Sequence, residues 1–532
     1  MRGATVGARW LLALVLASPA QAQTPTAARA SVVKKRTTYE DLQMFTQVLN
    51  QLRVNHPDSL DSHELIISAI RGMLAAADPH SYVVTGFNFD ADKDKAYREN
   101  KLYPVPIDFI MVDGAPVVVS VSAGSTASMQ DILPGDELVR VDTTDVHVES
   151  PFELSVFLSG PKKSWVSLEF LRRRPDGTYA TLVRSVMRER VEESSAVPVA
   201  MMLDGQTGYV RITTFDNLKV ADDLHDQLKR LERQGMQRLV LDLRDNGGGF
   251  VKQAAVVAGE FLPKGTLVYT ASGRKEDVTD TGRVSRSFWS HEKRYPIAVM
   301  INNGTASAAE LVAGALQDHD RALIVGHRSF GKSLLMRGFP LTEGSLVMMV
   351  IGQMRTPCGR VIQREYHGVA RQSYYHMTAV ERDTAGRPWC KSTGGRTLYG
   401  GGGIEPDVVF PAREPVPDWL LRANDEELML KWIAGHVAAA GSAYGSLDTL
   451  LARRKAAPGA VADFRAFAAK QGVSIPNGPD VDARIERSIL RRVAQAKWGN
   501  EAYFRVDALL DDEIKRTVTA FDKAEAVLRL SQ

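Results

Sequence analysis

Cysteine is almost missing from this chain: there are two, Cys358 and Cys390, in 532 residues. Two cysteines cannot make a disulfide scaffold. Neither sits in a histidine-cysteine cluster of the kind that holds zinc. A single disulfide and two unpaired thiols both stay open. Long apolar runs are missing as well once the N-terminus is passed, and spanning a bilayer takes about 20 such residues. An excess of either charge is missing too. The 66 basic and 63 acidic residues leave a formal net charge of +3, which gives no electrostatic reason to expect a nucleic acid or a membrane surface as partner. What is present is ordinary globular material, 44% hydrophobic, in a chain long enough for several domains.

The N-terminus reads as a secretory signal peptide, residues 1–22. Arg2 and Arg9 precede the short apolar run Trp10 to Ala17, and Ala20-Gln21-Ala22 offers a small-residue cleavage site. An exported protein is expected, in the periplasm if the source is Gram-negative, with no integral membrane segment after signal removal. Residues 23–36 read as a flexible lead-in to an N-terminal helical segment that reaches residue 100. There Leu42, Phe45, Val48, Leu49 and Leu52 recur at helical spacing. A second helix is expected from Ser62 to Ala77, stopped by Asp78-Pro79-His80-Ser81.

Residues 101–190 change to valine- and isoleucine-rich strands between turns. The turn Pro134-Gly135-Asp136 feeding Glu137 to Val141 resembles a PDZ domain, which binds an extended peptide along its sheet edge. The segment Tyr103-Pro104-Val105-Pro106-Ile107 stands where such domains capture a terminal carboxylate. Proline has no N–H to offer there. Residues 195–413 alternate strands and helices, with the apolar runs Arg238–Leu243 and Ile297–Ile301 reading as buried parallel strands. Residues 414–532 read as helical. There, Ile485, Ile489, Leu490 and Val493 share one face, and Arg453-Arg454-Lys455 reads as a solvated helix end. The fold class is a multidomain α+β chain: an α/β core, an inserted PDZ-like β domain, and helical segments at both ends.

Ser307, in Asn303-Gly304-Thr305-Ala306-Ser307-Ala308-Ala309-Glu310, stands at the mouth of a helix. Lys332 follows in Ser329-Phe330-Gly331-Lys332. A serine hydroxyl needs a base, and a lysine serves only when neutral, against an ordinary pKa of about 10.4. Phe330, Leu334 and Leu335 supply the apolar setting that favours the neutral amine. Oxyanion donors can come from backbone N–H groups at a helix start or a glycine turn. Ala308 and the turn Asp245-Asn246-Gly247-Gly248-Gly249 qualify. Such chemistry needs neither metal nor cofactor.

These stretches together resemble the carboxyl-terminal processing peptidases of family S41. The resemblance rests on Asp78-Pro79-His80-Ser81, Leu241 to Gly249, Thr305 to Glu310, Gly326 to Lys332 and Gly403-Ile404-Glu405-Pro406-Asp407, in that order around the PDZ-like segment. It implies a ClpP/crotonase-like core and a serine endopeptidase acting on polypeptide through an acyl-enzyme. Ser307 would be the nucleophile and Lys332 the general base. Ala308 and Gly249, with Gly248, would supply the oxyanion hole. Glu310 falls at a family acidic position, or serves as a first-turn carboxylate on the helix dipole. Met336 departs from the pattern, standing where the family carries a glutamine that orients the lysine, and the insertion Arg364 to Gly395 is long. Oligomer or adaptor contacts are expected on the C-terminal helices.

Three readings compete. Gly326-His327-Arg328-Ser329-Phe330-Gly331-Lys332-Ser333 fits the phosphate-loop pattern GxxxxGK[ST], which demands a helix after the lysine. Asp318-His319-Asp320 suggests a Ser-His-Asp triad with Ser307. The Met336 departure fits a catalytically impaired peptide-binding scaffold.

Overall fold

A computed structural model of the protein describes residues 37–84, 93, 96, 101–112, 115–121, 125–127, 130–132, 136–146, 148, 151–173, 178–189, 195–275, 278–285, 294–341, 345–367, 369, 374, 386–412, 417–425 and 428–530. The expected signal peptide, the lead-in and the Pro134-Gly135 turn lie outside the described residues. Two compact units are present, residues 1–68 and 69–532.

In the first unit the helix Thr38–Asn55 opens with a capping box. The Glu40 N–H donates to Thr37 Oγ1 and the Thr37 N–H to Glu40 Oε2. Its predicted stripe is real but uncovered: Leu42, Phe45, Val48 and Leu52 are all exposed. The helix Ser62–Ala77 straddles the two units with the boundaries the sequence predicts. Asp78 closes its end. The carboxylate accepts the His80 and Ser81 N–H groups and the Ser81 hydroxyl.

Strand β1 (Tyr82–Val84) follows. An antiparallel β domain comes next, built from β2 (Ile107–Val112), β3 (Ala115–Val121), β4 (Glu137–Val141), β5 (Thr144–Asp145), β6 (Trp165–Arg173) and β7 (Tyr179–Met187). Its order is β2-β3-β4-β6-β7, with β5 on β4. The helix Pro151–Leu158 contributes Leu154 and Leu158 to a core with Val118, Leu138, Leu168 and Phe170. Asp136, at the foot of β4, is buried against Arg172, Oδ1 to Nε 2.7 Å.

The catalytic candidates lie in the next sheet. Its strands are β8 (Val199–Met202), β9 (Thr207–Arg211), β10 (Arg238–Asp242), β13 (Ile297–Ile301), β14 (Leu323–Gly326) and β19 (Val408–Val409), ordered β19-β14-β13-β10-β9-β8. All pairings are parallel except β8 with β9. A parallel sheet is apolar on both faces, which is why its strands read as unbroken hydrophobic runs. One face is covered by the helices Val220–Arg233, Val251–Ala258 and Ala308–Asp318 through Leu224, Leu228, Val257, Leu311 and Leu316. The other is covered by the last three helices, Asn500–Leu510, Asp512–Val518 and Phe521–Leu530. These bring Phe504, Ile514, Phe521 and Val527 onto Tyr209, Val240, Met300 and Val325. Residues 414–532 thus divide. The helices between Asp418 and Trp498 have their own core around Trp432, Phe464, Ile489 and Val493, which Ala502 and Val506 of the helix Asn500–Leu510 join, whereas Phe504 of that helix and the last two helices form a layer of the parallel sheet.

An antiparallel sheet follows: β11 (Leu267–Gly273), β12 (Asp280–Arg283), β15 (Leu334–Pro340) and β16 (Leu346–Arg355), with β1 on β16. The hairpin of β17 (Trp389–Lys391) and β18 (Thr397–Tyr399) carries Cys390. It is disulfide-bonded to Cys358 with Cα atoms 5.9 Å apart, which settles the open choice between a bridge and free thiols.

Candidate active site

Three neighbouring parallel strands deliver the site. β10 runs into Leu243 to Gly249, β13 into Asn302 to Ser307, and β14 into His327 to Lys332. Open parallel sheets gather functional groups beyond the carboxyl ends of their strands, because the loops there are free of the ladder.

The arms are stitched to one another by backbone. The Ala306 N–H donates to Asn246 O, 2.9 Å, tying the nucleophile arm to the glycine turn. The Phe330 N–H donates to Thr305 O, 2.9 Å, tying the lysine arm to the nucleophile arm. Asn302 Oδ1 accepts the Asp245 and Gly304 N–H groups, and Thr305 Oγ1 donates to Leu243 O.

Ser307 has φ 55° and ψ −121° immediately before the helix Ala308–Asp318. A positive φ is costly for a residue with a Cβ, and such strain persists only where the surroundings impose it. They impose it here, because Ser307 is half-buried between buried Ala306 and buried Ala308. Gly248 presses on it from the turn. Its φ is +99°, and a Cβ there would lie 2.7 Å from both Ala306 O and Ser307 Cβ. Only glycine fits that approach.

Glu310 organises the pair. It is fully buried, and Oε2 accepts both the Ser307 N–H (2.9 Å) and the Lys332 N–H (2.8 Å). One oxygen therefore brings the two candidate backbones together. Oε1 accepts the Ser329 hydroxyl (2.5 Å) and the Gly331 N–H (2.7 Å). Ser329 in turn accepts the Ile404 N–H, which fastens the Gly403 to Asp407 segment behind the site. Burial raises the Glu310 carboxyl above its ordinary value, and the four donors offset this only in part.

The glycine turn distributes its donors unevenly. The Gly248 N–H donates to Asn246 Oδ1, 2.9 Å, and its carbonyl accepts the Phe215 N–H. Of the two sequence candidates, Gly248 thus shapes the turn with its N–H already engaged.

Behind the lysine arm, Gln363 Oε1 accepts the Ser333 N–H and its amide donates to Tyr374 Oη, which also meets His80 Nε2 at 3.1 Å. His80 is buried in this structural contact. Met336 is half-buried in β15, opposite Val350 of β16. Nothing in the sequence singles out Asn302, Gln363 or Tyr374, whereas Asn246 carries a local signal in lying within the glycine turn.

Two competing readings fail on geometry. Lys332 is followed by strand β15, with no helix to carry a phosphate loop. His319 faces Leu267 O at 2.8 Å, and the carboxylates beside it serve Arg360 and Arg396.

The model of Peptidase family S41 matches residues 206–373, a span that includes the glycine turn, Ser307, Glu310 and Lys332. A carboxy-terminal-processing protease of Bartonella bacilliformis is 32% identical over 337 residues, covering 62% of this chain and 74% of that protein. A carboxyl-terminal-processing protease of Synechocystis is 35% identical over 242 residues, 44% of this chain and 53% of that protein. A photosystem II D1 C-terminal processing protease of known structure is 24% identical, covering 70% of this chain and 87% of that one, with a TM-score of 0.47. The chain belongs to peptidase family S41.

Proposed function

We propose that the protein is an exported serine endopeptidase that cleaves unfolded polypeptides or exposed C-terminal tails through a Ser307–Lys332 dyad. The observation that carries this reading is the shared acceptor: one buried Glu310 oxygen takes the backbone N–H groups of both residues. Neutral Lys332 removes the Ser307 Oγ proton as Oγ attacks the scissile carbonyl. The lysine then returns the proton to the leaving amine, and water hydrolyses the acyl-enzyme by the same route. The Ala308 N–H, at the first helical position, and the Gly249 N–H are the oxyanion donors of this reading, since the Gly248 N–H is engaged by Asn246. Export is supported by the Cys358–Cys390 bridge, because disulfides persist in oxidising compartments. The test is a peptidyl fluorophosphonate with intact-mass analysis. Stoichiometric adduct on Ser307, absent from Ser307→Ala, is expected; an adduct elsewhere, or none, overturns the reading.

The β domain fits a PDZ-like role in presenting substrate. β2 is an edge strand beside the helix Pro151–Leu158. A pocket of about 130 Å³ between them is lined by Pro104, Val105, Ile107, Phe109, Leu154 and Leu158. A strand added to that edge would gain backbone hydrogen bonds, and its side chains would fill the pocket. Carboxylate capture is weak in this loop. Pro104 and Pro106 have no N–H, and the Tyr103 N–H is given to Gly160 O at 2.8 Å. Apolar peptides ending in a free carboxylate or in an amide are therefore expected to bind within about threefold of each other by fluorescence anisotropy, less than the tenfold that 1.4 kcal/mol would give. A tenfold preference for the acid would contradict this.

A further inference from the structure

The last helices do more than cover the sheet. Glu513, in the helix Asp512–Val518, reaches two of the three site arms at once. Its Oε2 lies 2.7 Å from Arg244 Nη1 and its Oε1 lies 3.3 Å from His327 Nε2. Arg244 directly precedes the turn Asp245 to Gly249, and His327 opens the loop that ends at Lys332. β13 lies between the strands these residues follow, so the carboxylate bridges across the nucleophile strand.

Arg244 is buried and held by carboxylates on two sides. Asp242 accepts from its Nε and Nη2, and Asp511 from Nη2 at 2.7 Å. Burial would by itself raise the Asp242 carboxyl, but Arg244 and Arg211 hold it down to about 2, so this cluster stays ionised. Arg211 extends it, contacting Asp245 at 3.5 Å and Asp507 of the first layer helix, Asn500–Leu510, at 4.0 Å. The basic side chains of the arms thus meet carboxylates from a segment 186 to 269 residues away in sequence.

We propose that Glu513 is a positioning residue that couples the oxyanion turn to the lysine loop, so that the C-terminal layer sets the alignment of the site. The kinetic consequence rests on the peptidase reading above; the coupling itself does not. Charge-assisted hydrogen bonds at buried positions fix geometry tightly. A carboxylate shared by two arms makes the place of one depend on the other.

The experiment uses the full chain with Glu513→Gln. Asp512→Asn is the control, because it removes a neighbouring charge from the same helix terminus without touching either arm; Asp512 faces Lys515 and Arg487. Amide hydrogen exchange is expected to accelerate in both 245–249 and 327–332 in Glu513→Gln and in neither segment in Asp512→Asn. Acceleration in one segment only, in neither, or equally in the control overturns the coupling. On a tailed peptide, kcat is expected to fall roughly three- to thirtyfold with KM within twofold, the range expected for altered coupling between packed elements. In a double-mutant cycle with His327→Gln, the two losses are expected to overlap rather than multiply. Altered exchange in a chain whose wild type cleaves nothing would support the coupling and count against the peptidase reading. A wild type that cleaves, with kcat unchanged in Glu513→Gln, would overturn the positioning role alone.

Discussion

Lys332→Ala is expected to lower kcat on casein or a tailed peptide by roughly 10²–10⁴, the usual contribution of a positioned general base. Lys332→Arg is expected to be as inactive as the alanine variant. Arginine keeps the length and the positive charge, but its guanidinium does not give up a proton in proteins and cannot accept one from Ser307. The pair of variants therefore separates a base from a positive charge that merely attracts substrate. Ser307→Ala is expected to lose on the order of 10⁶ in kcat, the scale seen when a serine hydrolase loses its nucleophile. In each variant the thermal midpoint should stay within a few degrees of wild type. Ser307 and Lys332 are both half-buried, and the interactions that hold their arms run through backbone N–H groups. Retention of activity within tenfold by Lys332→Arg would remove the lysine from the base role, whatever its position.

Much of this site is legible in sequence because each arm is a short run that directly follows an apolar strand. Arg238 to Leu243 and Ile297 to Ile301 announce buried parallel strands, and glycines or small residues right after them announce backbone that must come close to something. The helix Ser62–Ala77 is equally legible, since Asp78 and Pro79 end it by local chemistry. What sequence does not carry is which distant residue completes each arm. The apolar faces of the last three helices have the same period whether they cover a sheet, a partner or each other. Nothing in Phe504, Ile514 or Phe521 alone says that they lie on Val240 and Met300. The engagement of the Gly248 N–H by Asn246, and the bridge from Cys358 to Cys390, are likewise matters of three-dimensional approach. Glu310 was visible as a residue but not as a hub. A carboxylate in a first helical turn is ordinary, and only the fold supplies Ser329, Gly331 and Lys332 as its donors.

That hub predicts the second large effect. In Glu310→Gln one carboxylate oxygen becomes an amide donor. On either side it would face backbone N–H groups: Ser307 and Lys332 on one, Gly331 on the other. A buried donor left facing a donor costs about 1–3 kcal/mol. If that cost appears as misalignment of the two arms, kcat falls roughly 10- to 100-fold, with KM little changed, and phosphonate labelling of Ser307 slows in parallel. The pH dependence has a definite sign. The folded-state carboxyl sits above its ordinary value of 4.5 because it is buried. Between that value and its raised folded value, the folded chain holds a proton that the unfolded chain has released. The stability Glu310 contributes is therefore fully present on the acid side and is lost as pH rises through the folded value. Activity runs the other way, because protonation occupies an acceptor that the Ser307, Gly331 and Lys332 N–H groups need. Mild acidification should thus lower wild-type kcat before it lowers the thermal midpoint. Glu310→Gln, already slow, should show no acid limb from this group. Parallel kcat and melting profiles against pH decide the matter: an acid limb that persists unchanged in Glu310→Gln would assign it to another group.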